Sequence, residues 1–381
     1  MRVTAQLISV DDGYHLWSER YDSTLDDVFA IRDEISLQIV DNLKIKLEIA
    51  ETKRLVKRYT ENTEAYNLYL KGRYHWGMVS KQGSKKALAY YQQVIDKDPS
   101  YALAYAGIAH CHIRNAWYYF LPPREELLQA KLFAEKSLKI DKNLSEAHSS
   151  LAMVKMAYDR DWDSAGREFR RAAALSLKHS VDSFYYSVYF SAMGKHEEAI
   201  HQAKKALELD PISLMLTANL GMRYFYNRRF DESLETMQKA IDLNPNSYVC
   251  HWYSIYPLIY LGKHKKAVRA IQRAREIEGY LIPHFIMGLG LINAFSGEFS
   301  EAEKSLRSLI RLAENREYSM TLIAIILIFM NRFDEAFQWL EKAYNEYDIM
   351  LIWIKSDPVF ERVASDPRYI SLIERLGLEK Q

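Results

Sequence analysis

The chain has little of what usually announces a function. It holds only two cysteines, Cys111 and Cys250, in 381 residues. No disulfide framework can staple it, and a reducing, cytoplasmic setting is expected. An excess of one charge is also missing, with 51 Lys+Arg against 50 Asp+Glu. A nucleic-acid reader usually carries a basic surplus, so no nucleic-acid partner is expected for this chain. The longest apolar run, Leu322 to Met330, is about half the length of a bilayer span and is read as a buried helix. The opening residues, Met1 to Gln6, lack the apolar core of a signal peptide. With 14 Gly and 9 Pro the chain is too poor in both for disordered linkers, and its prolines punctuate helices instead. It has no phosphate-cradling glycine loop and no nucleophile elbow. A non-catalytic protein without a cofactor is the expectation.

The residues that could carry chemistry have plainer readings. His110-Cys111-His112 has a metal-like composition, but neighbours at i and i+2 on a helix point about 200° apart and cannot chelate together. No second Cys/His cluster follows at zinc spacing. Asp159-Arg160-Asp161-Trp162-Asp163 pairs carboxylates at what reads as a solvated inter-helix turn. The basic stretch from Lys263 to Arg275 reads as the charged outer face of a helix.

What the chain has is a period. Ala206, Ala240 and Ala274 sit thirty-four residues apart, and Ala199, Ser233 and Ala267 keep the interval, as do Gly194, Arg228 and Gly262. A fixed period of this length means stacked helix pairs, none of which can bury its apolar face alone. Leu220 and Tyr224 are four apart and share a helix face, Gly221 and Ser233 are small enough for two helices to approach closely, and Pro245 ends the second helix. Flanking frames loosen. Nine extra residues fall around Trp117 to Pro123, three in the first frame around Gly77 to Gly83, and the register slips by one at Gly297. Two Asp-Pro helix starts, at Asp357 and Asp366, read as a terminal helical cap.

The frame Thr217-x2-Leu220-Gly221-x2-Tyr224, Ser233-x3-Met237, Ala240, Pro245 resembles the tetratricopeptide repeat. The resemblance implies an all-α, right-handed superhelical solenoid of about eight antiparallel helix pairs over residues 63–348, capped by residues 349–381. It also implies a concave groove lined by the first helix of each pair. At those positions stand Phe184, Met222, Tyr226, Trp252, Tyr256 and Tyr260. Thioethers and aromatic rings adapt to varied apolar side chains, so a protein or peptide partner is expected there.

Residues 1–58 break the period. Val3, Ala5 and Leu7 alternate with polar residues, Asp11-Asp12-Gly13 supplies a turn, and Tyr14 to Tyr21 returns, which predicts a β-hairpin over 2–22. A helix is expected over about 24–55, beginning at Thr24-x2-Asp27. An exposed hairpin edge would offer a route to self-association. Gly13 to Asp22 together with Val28 to Ile35 resembles the end of a TolB amino-terminal-like α/β module, which in that family lies upstream of tetratricopeptide arrays. In such proteins a cyclase, a protein kinase or a winged-helix domain often precedes the module. The chain begins inside the module, so the resemblance transfers no catalytic or DNA-contacting residue. It adds a second expectation: the regulatory tail of a bacterial signalling protein whose effector is missing or separately encoded.

Overall fold

A computed structural model describes residues 2–8, 14–22, 34–39, 42, 60–176, 180–277 and 282–379. Strands β1 (Arg2–Ile8) and β2 (His15–Asp22) form an antiparallel hairpin with Val3 opposite Tyr21 and Leu7 opposite Trp17. The expected helix start at Thr24 lies outside the described residues; residues 34–39 are helical.

Eight helix pairs follow. The first four are α1 (Thr63–Gly77) with α2 (Lys81–Lys97), α3 (Ala102–Trp117) with α4 (Pro123–Ile140), α5 (Ser145–Val154) with α6 (Trp162–Leu175), and α7 (Ser180–Ala192) with α8 (His196–Leu209). The next four are α9 (Leu214–Tyr226) with α10 (Phe230–Leu243), α11 (Tyr248–Tyr260) with α12 (His264–Ile277), α13 (Ile282–Phe295) with α14 (Phe299–Glu314), and α15 (Met320–Phe329) with α16 (Phe333–Asn345). The chain is thus the helical solenoid that its period demands.

The period has a backbone cause. The turn inside a pair needs one residue in the left-handed region, and it recurs at Arg160, Gly194, Arg228, Gly262, Gly297 and Asn331, with φ between 57° and 79°. Close packing explains the small residues. A Cβ added at Gly221 would stand 2.6 Å from the Met237 methyl, so glycine lets α10 seat against α9. Tyr91 is wedged likewise between Gly72 and Gly107. Most buried side chains between Ile113 and Leu378 belong to one large core, and smaller clusters around Leu68, Tyr91 and Tyr101 join the first pair to α3.

After α16 the chain makes two 3₁₀ turns, Ile349–Trp353 and Pro358–Val363, then α17 (Pro367–Arg375). Three aspartates start them by the same device. Asp348, Asp357 and Asp366 each accept from the backbone N–H two residues on, at 2.9, 3.0 and 2.9 Å. The Asp-Pro starts expected from sequence are there. Their location differs from a simple end-cap, because residues 349–363 run into the concave side of the array.

Candidate functional site on the concave face

First helices supply the concave wall. Phe184 on α7, Met222 and Tyr226 on α9, and Trp252 and Tyr256 on α11 come together around one cavity holding about 110 Å³ of free space. Tyr260 is not with them. It lines a separate, open hollow with Phe295, Phe329 and Arg362. Of the six groove residues read from the sequence, five therefore share a site.

Much of the rest of that wall was not legible as groove. Met350, Trp353 and Asp357 enter from the 3₁₀ segment, and Trp117 and Tyr118 from the end of α3 and its C-cap. Trp353 is the keystone. Its ring stacks on Tyr226 at 4.6 Å between centroids, meets Trp117 edge-on at 5.9 Å, and receives the Arg223 guanidinium at 4.8 Å. Such pairs are worth about 0.5–1.5 kcal/mol beyond the area they bury.

Polar contacts hold the segment in place. The Ser356 hydroxyl donates to the Ser191 carbonyl, and the Arg228 guanidinium donates to the Ser356 carbonyl at 2.8 Å and to Glu361. Trp162 Nε1 donates to the Leu376 carbonyl at 2.6 Å, and Arg160 lies 3.6 Å over the Tyr344 ring. The carboxylates beside Arg160 thus sit at a turn, as expected, but Arg160 itself is committed to the far end of the chain. Elsewhere the array also closes on itself. Tyr158 stacks on Tyr347 at 4.6 Å, and Arg316 reaches Glu125 at 3.4 Å.

Few ionisable groups line the cavity, and burial shifts them. Burial pushes the Arg223 guanidinium down to about 10 and the His284 imidazole down to about 4, so His284 is neutral near pH 7. Burial pushes the Asp357 carboxyl up to about 6, and it holds the Tyr256 phenol well above its ordinary range. Asn219 is spent on the Ser187 hydroxyl at 3.0 Å. A second pocket of about 310 Å³ adjoins the first, sharing Trp117, Tyr118, Phe184 and Met215, with Arg73, Trp76 and Arg114 on its other walls.

The metal-like motif resolves into structure. His112 Nδ1 meets Glu126 at 2.7 Å, and Glu126 also accepts from Asn115 at 2.9 Å, while His110 packs against Trp76 and Tyr185. Among the described residues no group of three or more His, Cys, Asp or Glu side chains could hold a metal. No helix among them is long and apolar enough to cross a membrane.

Comparison with known proteins agrees with this geometry. The tetratricopeptide repeat model matches residues 188–248. A protein of Rhizobium meliloti (strain 1021) that carries the name adenylate cyclase 3 is 33% identical over 168 residues, 43% of this chain and 28% of that protein. The small glutamine-rich tetratricopeptide repeat-containing protein 2 of Mycosarcoma maydis is 28% identical over 110 residues, 29% of this chain and 31% of that one. The chain thus spans under a third of each of these two relatives. Among solved structures, the human IFIT1 dimer with PPP-AAAA is similar in fold, with a TM-score of 0.53 at 15% identity, covering 82% of this chain and 77% of that one.

Proposed function

From the premise that this chain is a tetratricopeptide-repeat protein, we propose that it is a non-catalytic interaction scaffold whose concave groove takes a segment of a partner protein. Residues 63–348 are the binding body, 349–381 its cap and 1–58 an attached partial α/β module. One observation carries the reading. A segment of this same chain, with Trp353 stacked on Tyr226, already lies in the groove as a bound peptide would. The cap is then a built-in competitor, and a partner segment must displace it. The affinity seen by the partner is reduced by the fraction of molecules whose cap is docked.

Crosslinked pulldown of the full chain from its native host tests this. Trp353→Ala, which loosens the competitor, is expected to raise capture of the same partners. Trp252→Ala and Tyr256→Ala are expected to lower it while helix content by circular dichroism is kept. Identical capture profiles for all three variants and the parent would count against the groove.

A second reading rests on the cyclase-named relative. In it the chain is the regulatory part of a bacterial signalling protein with its effector missing or encoded separately. The DNA upstream of the Met1 codon is decisive here. A cyclase, kinase or winged-helix coding region, in frame or frameshifted, supports this reading, and its absence there and from the same operon contradicts it. Self-association through the hairpin is a separate matter. Light scattering of a variant lacking residues 1–22 tests it, a dimer surviving the deletion being the negative result.

A further inference from the structure

Arg223 is a buried charge without a charged partner among the described residues. It sits on α9 with 3% of its surface exposed. Its Nη1 reaches the Ser187 carbonyl at 3.4 Å, a weak contact, and its Nε has no hydrogen-bond partner. Its remaining neighbours are aromatic faces, Tyr226 at 5.3 Å and Trp353 at 4.8 Å. No carboxylate among the described residues pairs with it. A buried cation without an anion is a standing cost, because its desolvation is uncompensated.

The cavity beside it has the character of a ligand site. Its wall is mostly apolar and includes Phe184, Met222, Trp252 and Ile325. One more polar group on that wall is unused: His284 Nδ1 has no hydrogen-bond partner among the described residues. A cavity of about 150 Å³ takes benzene, so about 110 Å³ suits a smaller body, and a larger one would extend into the adjoining pocket of about 310 Å³. A guanidinium presents a planar fork that matches a carboxylate in two parallel hydrogen bonds. One such fork compensates one negative charge. Asp357, on the same wall, would repel a second.

We propose that this cavity binds a small monocarboxylate with a branched aliphatic or aromatic body, its carboxylate on Arg223 and its body between Trp252 and Trp353. The adjoining pocket of about 310 Å³ supplies the way in past Trp117 and Phe184. Trp353 and Asp357 belong to the cap, so the bound acid ties the cap to α9 and opposes its release. Acid binding needs only the closed cavity and no partner protein, so this proposal and the partner-capture reading fail separately.

The test uses the full chain in a carboxylate-free buffer at fixed chloride, with isovalerate and benzoate as probes and isovaleramide and benzamide as neutral isosteres. Thermal unfolding is expected to shift up by about 3–5 °C at roughly a hundredfold excess over Kd for at least one acid and not for its amide. Tryptophan fluorescence should change with the same acid. Arg223→Met is expected to weaken binding at least about thirtyfold. Without ligand it should unfold no earlier than the parent, because an uncompensated charge has gone. If the Met variant does not fold, Arg223→Lys serves in its place, keeping the charge but losing the fork, with an expected loss of about tenfold. Equal shifts for acid and amide, no shift with either acid, or an undiminished response in the Arg223 variant would overturn the proposal.

Discussion

Arg160 and Arg228 stand where the repeat elsewhere uses glycine or asparagine. Both hold left-handed backbone, at φ 57° and 59°, where an L side chain costs about 1–2 kcal/mol. Both spend their side chains on the end of the chain, Arg160 on Tyr344 and Arg228 on Ser356 and Glu361. The Arg228–Glu361 pair is exposed and contributes little by itself, so the bond to the Ser356 carbonyl is the part that counts. Arg228→Gly should leave global stability within about 1 kcal/mol of the parent, relieved backbone offsetting the lost contacts. Amide exchange in residues 354–363 should nevertheless rise, and unchanged protection there would refute the role. Asp357 gives a pH signature at the same scale. Its folded pKa, pushed up to about 6, exceeds the unfolded carboxylate value, so its contribution is fully present below about pH 4 and is lost as pH rises through 6. Asp357→Asn, which mimics the protonated form and keeps an acceptor for Val359, should be more stable than the parent at pH 8 by about 3 kcal/mol. The gap should close by about pH 3 in paired denaturant titrations; a pH-independent gap would contradict it.

Helices were the legible elements, because each is written locally. Apolar residues four apart, small residues at Gly221 and Ser233, and the break at Pro245 all act within one frame. The Asp-Pro starts of the second 3₁₀ turn and of α17 were equally plain, since a cap is a short-range bond. Where those elements lie was not legible. Trp353 meets Trp117 and Tyr226 from the far end of the chain, and no period relates them. The aromatic run at the end of α3 could be seen as an irregularity, yet only the closed array shows Trp117 reaching Trp353 and Tyr119 reaching Tyr318. One hydrogen bond isolates the cap's last element. Trp162→Phe keeps the ring packing but removes the donor to the Leu376 carbonyl, leaving that acceptor unmet. It should cost about 1–2 kcal/mol, with faster exchange confined to α17 and its flanks. Uniform loss of protection over the whole array would instead mean that α17 is no separate unit.

At the scale of the molecule, the array of eight pairs is closed by its own end. The second pair touches the end of the array through Arg316 and Glu125, and the cap fills the axis between. Closure explains why five aromatic and thioether residues of the first helices line one cavity together with Met350, Trp353 and Asp357. It also sets the energetic terms: a ligand shifts the cap only by its differential affinity for docked and released forms. Hydrogen exchange of the full chain, followed by mass spectrometry over residues 349–363, tests this closure most directly. The account predicts protection of that segment comparable to α9, lost in Trp353→Ala while the helix pairs stay protected. Exchange of residues 349–363 at the rate of an unstructured chain, equal in parent and variant, would contradict it.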